Sequence, residues 1–266
     1  MTTTRAIRDN YSRVATAYDG VWADTLALHA KAVADRLPLT DARRVAELGC
    51  GPGRLLPHLA DRAPQATVIG ADLTEAMLQR APAAYGRVVA DVQALPFADG
   101  VLDAVVMPFV LFHLPDLPLG LSEVRRVLRT GGSFAAVTWS THDPHPAYDV
   151  WVRVIEDFGA PPDPSPQMPS GAVTADPEAL GQAVRTAGFG EVRITPEPFR
   201  HQSGWQQFIE HSKVVGSMAR RLELLAPERR TACLTVAARE LSQLDAEDFV
   251  ESGNILYTTA VAGSNE

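Results

Sequence analysis

Apolar residues recur along this chain in two alternating rhythms. Short, nearly continuous apolar runs stand at residues 45–48, 66–72, 87–91, 102–107 and 133–139; helical spacing follows each of them except 87–91, where a loop over 91–100 leads straight to the fourth. The runs predict strands buried on both faces, hence parallel, and the alternation predicts an α/β sheet with helices on both sides. Between the strands, helices are predicted over 54–60, from Thr74 with Met77 and Leu78 inward, and over 115–129 with Gly131-Gly132 as the stop. Two more follow at 147–159 and at 176–188, the latter with Asp176 as cap and Pro177 at the first helical position. Residues 191–199 and 254–262 read as two late strands.

The ends of this pattern depart from simple alternation. Residues 5–37 read as two amphipathic helices ahead of the first strand, with Ile7, Tyr11, Val14 and Tyr18 on one face and Leu26, Ala30, Val33 and Leu37 on another. About fifty residues of helical character, including Trp205, Phe208 and Ile209, separate the last two strands, an insertion expected to sit over something. The expected organisation is one domain over 1–266. It has a helical lid at 1–40, a nucleotide-type core at 41–140, a linker with helices at 141–190 and late strands at 191–266 carrying an inserted cap at 200–253. The lid and the cap are expected to roof a substrate pocket. The proline-rich run PPDPSPQMP at 161–169 is expected to be a mobile lid or linker.

The organising motif is VAELGCGPG at 45–53, read as strand, tight turn and helix start. Glycines there permit positive φ and let a ligand approach bare backbone, and the next helix offers unpaired N–H groups. Dinucleotide folds use a similar turn, so the ligand stays open on this motif alone. Two details favour S-adenosylmethionine over NAD. Arg54 stands where a dinucleotide fingerprint has its third glycine, and Glu47 places a carboxylate where a pyrophosphate would be repelled but an ammonium and a sulfonium are welcome. Asp72, ending the second strand, stands where ribose hydroxyls are held in either fold. Leu73 and Met77 are placed to flank an adenine, and Asp91, ending the third strand, reads either as an acceptor for its amino group or as a turn cap.

Composition narrows the class further. The 266 residues are 46% hydrophobic and 21% charged, enough for a sizeable core. The net charge of −8, with arginine pairs scattered among acids, argues against nucleic acid as partner. Two cysteines, Cys50 in the glycine turn and Cys233 in a late helix, form neither a disulfide framework nor a zinc pattern. With no apolar leader at the start and no apolar run long enough to span a bilayer, the expected setting is the reducing cytoplasm.

Taken together, ELGCGPG, GADLTEAM, ADVQALPFADGVLDAVVMPFVLFHL and VLRTGGSF, in this order and spacing, resemble a class I S-adenosylmethionine-dependent methyltransferase of the small-molecule type, related to the ubiquinone/menaquinone-biosynthesis group. The resemblance is close over residues 11–140; Thr130 replaces the proline usual before the double glycine. It implies a Rossmann-like, mostly parallel seven-stranded sheet of order 3-2-1-4-5-7-6 with an antiparallel last strand. It also implies cofactor contacts from the backbone of Gly49, Cys50, Gly51 and Gly53, from Asp72 at the ribose, from Asp91 and Val92 at the adenine, and from Met107 near the methionine portion. Tyr18, in AYDGVW, matches a Tyr-Asp pattern that closes over the cofactor in relatives.

Methyl transfer needs donor and acceptor aligned and water excluded, with a base near the working pH where the acceptor carries a proton. Histidines 113, 142, 145, 201 and 211 are available. His142 and His145 follow the fifth strand on the crevice side, and His113 doubles as a structural residue at a helix start. No acid/amide cluster follows the fourth strand, so no metal is expected. Tyr11, Phe109, Trp139 and Trp205 are candidate linings for a hydrophobic acceptor, expected to be a secondary metabolite, although each also reads as core. Three alternatives stand beside this: a protein that uses bound S-adenosylmethionine for a rearrangement or cyclisation without methylating, an NAD-dependent oxidoreductase, and a methylase of protein or RNA.

Overall fold

Seven strands form one sheet of order β3-β2-β1-β4-β5-β7-β6 in the computed structural model, mostly parallel and flanked by helices. The strands are β1 (Arg44–Leu48), β2 (Thr67–Asp72), β3 (Gly86–Val89), β4 (Leu102–Pro108), β5 (Leu128–His142), β6 (Phe189–Gln202) and β7 (Val250–Ala262). The structure describes residues 3–21, 23–165 and 168–263, without the side chains of residues 19–21 and 23–25. Trp22, the Asp19 side chain of the AYDGVW pattern, and Pro166 and Gln167 of the proline-rich run therefore lie outside the described parts. Strand β1 pairs in parallel with β2 and β4, β2 with β3, and β4 with β5. At one end Gly263 donates its N–H to the Gly188 carbonyl and at the other Ser203 donates to Phe249, which sets β6 and β7 antiparallel.

The helices are α1 (Thr3–Val21), α2 (Ala23–Ala34), α3 (Leu56–Arg62), α4 (Glu75–Leu78), α5 (Leu117–Val127), α6 (Pro146–Asp157), α7 (Ser170–Ala175), α8 (Pro177–Thr186), α9 (Trp205–Ser212), α10 (Ser217–Glu223) and α11 (Pro227–Leu241). The Asp176 cap takes the Ala179 N–H with Pro177 opening α8, as its sequence pattern requires. Thr74 holds the cap position of α4 without a side-chain cap bond.

One boundary differs from expectation. Gly131-Gly132 does not stop α5, which ends at Val127; β5 has already begun at Leu128, paired with Leu102, and the glycines lie in strand where the register shifts between Leu102 and Ala104. With Thr130 in place of proline, nothing removes the backbone donor that a strand needs here.

Two compact units can be distinguished. The first comprises Met1–Ser140, Gln167–Glu197 and Ile255–Glu266, and the second Thr141–Pro166 and Pro198–Asn254. In the first, both sheet faces are apolar, with Leu48, Val105, Met107, Leu121, Phe134, Leu180 and Leu256 among the buried residues. In the second, Trp151 of α6 is fully buried among Phe208, Leu222, Cys233, Leu241 and Phe249. Among the described residues no helix is long and apolar enough to cross a membrane.

Candidate functional site

The strand order changes direction at β1, whose neighbours are β2 and β4, so the loops leaving β1 and β4 diverge and open a crevice at the strand ends. The turn after β1 occupies it. Gly49, Gly51 and Gly53 all have positive φ, at 70°, 52° and 72°. A side chain on Gly49 would also strike Val110, 2.3 Å from where its Cβ would stand, whereas beside Gly51 there is open space within 4 Å. The turn is tied down from β2: the Ala71 carbonyl accepts the N–H groups of Gly49 and Cys50. Asp72 takes the Gly51 N–H on one carboxylate oxygen and the Thr74 N–H on the other, each at 2.8 Å. Burial raises the Asp72 carboxyl, and the bonds from Gly51 and Thr74 pull it back down.

Glu47, on β1 opposite Gly70 of β2, faces the same pocket and is 3% exposed. Its Oε2 has no hydrogen-bond partner, and burial, with Asp72 adding like charge, holds its carboxyl well above the ordinary value. An orphaned buried carboxylate facing a pocket is costly unless a cationic ligand satisfies it. The ammonium of S-adenosylmethionine fits that requirement, and a pyrophosphate does not.

The opposite wall is made by α1, α2 and the segment after β4. Ile7, Tyr11 and Tyr18 come from α1, Leu26, Ala27 and Ala30 from α2, and Phe109, Val110 and His113 from the third segment, next to Pro108 at the end of β4. Tyr18 is pushed up to about 12 by burial and then by Asp72. Its ring meets that of Tyr11 edge-on at 5.8 Å. The Tyr11 hydroxyl and His113 Nε2 share a hydrogen bond of 2.9 Å within the pocket wall.

The residues expected at the site separate clearly. Leu73, Met77, Asp91 and Val92 line the pocket together with Glu47, Gly49, Cys50, Gly51 and Asp72. Asp91 also keeps its turn role, since Oδ1 takes the N–H of Gln93 at 2.9 Å. Gly53 and Met107 are not among the lining residues: the Gly53 N–H closes the turn onto the Cys50 carbonyl at 2.8 Å, and Met107 is fully buried in the sheet core beside the lining residue Pro108. Trp139 stacks on Phe109 with ring centres 4.7 Å apart. His142, His145 and Trp205 belong to the second unit. His142 stands 3.8 Å from Glu251, His145 caps α6 by accepting the Tyr148 N–H on Nδ1, and Trp205 packs on that unit's core. The rings of His201 and His211 stack on each other there. Several lining residues went unread, among them Ala27, Gln93 and Val110, whose only signals are apolar or loop positions; just outside the lining, His29 Nδ1 shares a 2.8 Å hydrogen bond with the Tyr257 hydroxyl.

Comparison with known proteins agrees with this geometry. Residues 46–136 match the methyltransferase domain family. Over 208 residues the chain is 31% identical to the ubiquinone/menaquinone biosynthesis C-methyltransferase UbiE of Dinoroseobacter shibae, covering 70% of this chain and 80% of that enzyme. The chain belongs to the class I S-adenosylmethionine-dependent methyltransferases related to that group. S-adenosylmethionine is therefore its cofactor and methyl transfer its chemistry, with a small molecule as acceptor class. The fold is shared with phosphoethanolamine N-methyltransferase 2 of Haemonchus contortus, solved with S-adenosyl-L-methionine (TM-score 0.58, 16% identity, 97% of this chain and 60% of that one). It is shared equally with the [4+2]-cyclase SpnF (TM-score 0.60, 16% identity, 100% and 98%). For this methyltransferase those two likenesses concern architecture alone.

Proposed function

We propose that this methyltransferase acts in the cytoplasm on an oxygen, nitrogen or carbon of a hydrophobic small molecule, a secondary metabolite, and that His113 with Tyr11 handles the acceptor's proton. The observation that carries this reading is the Tyr11–His113 hydrogen bond in the wall of the pocket that Glu47 faces. Glu47 would hold the cofactor's ammonium, Asp72 its ribose, and Asp91 with Val92 its adenine; the cofactor supplies an electrophilic methyl carbon. A hydroxyl acceptor, on giving its oxygen to that methyl carbon, would pass its proton to the Tyr11 oxygen as the Tyr11 proton moves to His113 Nε2. His142 and His145 are not among this pocket's lining residues, and His145 is engaged as a helix cap. The apolar character of Ile7, Leu26, Ala27, Ala30 and Val110 supports a hydrophobic acceptor, as does kinship with an enzyme named for quinone biosynthesis. Two buried, unpaired thiols support a reducing compartment.

The test is S-adenosylhomocysteine formation over a panel of phenols, quinols, enols and amines, with Tyr11→Phe and His113→Gln beside the parent protein. Turnover on a hydroxyl acceptor should fall about 100-fold or more in both variants, with S-adenosylhomocysteine affinity kept. Consumption of an acceptor without S-adenosylhomocysteine appearing would instead establish the non-methylating reading.

A further inference from the structure

Phe109 is one of two described non-glycine residues with positive φ, at 57°. For a bulky side chain this is a strained conformation that persists only where its surroundings over-determine it. Its consequence is visible locally. In a regular strand consecutive side chains point to opposite faces, yet Pro108, Phe109 and Val110 all line one pocket. The turn at Phe109 makes this possible: Pro108 is still paired with Val137, the Phe109 N–H still reaches the Val137 carbonyl at 2.8 Å, and Val110 then swings over Gly49.

The Phe109 ring is held from two sides. Trp139, on β5, lies against it with ring centres 4.7 Å apart and planes 38° from parallel. His29, on α2, meets it edge-on at 6.3 Å. His29 is itself fixed by the hydroxyl of Tyr257, a residue of β7 that is 4% exposed. The Arg36 guanidinium covers the Tyr257 ring at 3.6 Å and is paired with Glu197 at 2.5 Å. Burial lowers the His29 pKa, against an opposing pull from Glu197, so the imidazole meets Phe109 as a neutral ring.

Resting on the reading that this pocket takes the methyl acceptor, we infer that Phe109, strained and clamped between Trp139 and the His29–Tyr257 pair, is the specificity-determining platform on which a planar, neutral aromatic acceptor stacks. Tyr257 and His29 act as positioning residues. A flexible aliphatic side chain would fill the same apolar space at the same backbone position; a rigid ring held in one orientation gives an advantage only to a flat partner.

The test compares two probes of one carbon skeleton, planar 1-naphthol and its saturated counterpart decahydro-1-naphthol, titrated calorimetrically into the protein loaded with S-adenosylhomocysteine. The parent should bind the planar probe tighter by about 3–10-fold, the worth of one aromatic pair beyond area burial. Phe109→Leu should abolish the difference, and Tyr257→Phe, which keeps the ring and its Arg36 contact but deletes the hydroxyl on His29, should reduce it. S-adenosylhomocysteine affinity should stay unchanged in both variants, which shows that they are folded. Equal binding of the two probes by the parent, no binding of either, or a preference surviving in Phe109→Leu would overturn the inference. Failure of S-adenosylhomocysteine to bind the parent would sink the functional reading separately, and the probe comparison is then read on the protein without it.

Discussion

Glu47→Gln separates stability from function in a way few substitutions can. The parent carboxyl is buried, lacks a partner at Oε2 and has a pKa raised well above 4.5 by burial and then by Asp72. For an acid whose folded pKa lies above its unfolded one, the folded state binds more protons across that interval. Stability of the cofactor-free protein therefore falls as pH rises from 4.5 towards the raised value, and the loss is complete above it. A neutral amide of the same shape does not titrate. An unsatisfied buried polar group costs about 1–3 kcal/mol, of which an amide recovers part. At about 2–4 °C per kcal/mol for a chain of this size, the cofactor-free variant should unfold roughly 2–6 °C higher at neutral pH, with the gain vanishing below the ordinary carboxyl range. Binding should move the other way. A hydrogen bond to a charged group contributes about 1.5–3 kcal/mol, so S-adenosylhomocysteine affinity should drop about 10–150-fold. At a concentration 100 times the parent dissociation constant, a 100-fold loss cuts ligand stabilisation from about 2.7 to about 0.4 kcal/mol. Thermal unfolding across pH, with and without ligand, reads both effects. A lower midpoint for the cofactor-free variant, or an undiminished ligand shift, would refute the reasoning.

Two further outcomes follow from single residues. Gly49→Ala combines a left-handed φ of 70° with a Cβ 2.3 Å from Val110, so it should cost on the order of 1–3 kcal/mol of strain and weaken cofactor binding, measured by denaturant titration and calorimetry. Trp151→Ala removes a fully buried ring from the second unit's core and should destabilise by about 3–5 kcal/mol; limited proteolysis should then cut first within 141–166 or 198–254, and cleavage elsewhere first would contradict that core's role.

Much of this protein is determined by its sequence alone, because the relevant signals are local. Near-continuous apolar runs predict strands buried on both faces, which holds for β1 and β4 but not for the edge strand β3, where Val89 is 56% exposed, and the run from Val45 to Gly53 encodes strand, turn and acid within a few residues. Asp72, which ends β2, and Asp91, two residues beyond β3, were readable for the same reason. The boundary at Gly131-Gly132 was not, because β5 begins through pairing of Leu128 with Leu102, a contact made across 26 residues. On the site's far wall Tyr11, Tyr18, Phe109 and His113 were readable one by one, but the pairings that join such residues were not, for a related reason. Tyr11 and His113 stand 102 positions apart, and His29 and Tyr257 stand 228 apart. Periodicity places Tyr11 on a helical face but names no partner for it, and a histidine on a loop or helix reads alike whether solvated or engaged. Only the tertiary structure decided which histidine meets the pocket, why Phe109 is bent into it, and that Glu47 keeps an unpaired oxygen there. Each of these is a long-range juxtaposition, fixed by packing helices onto the sheet rather than by any neighbour in the chain.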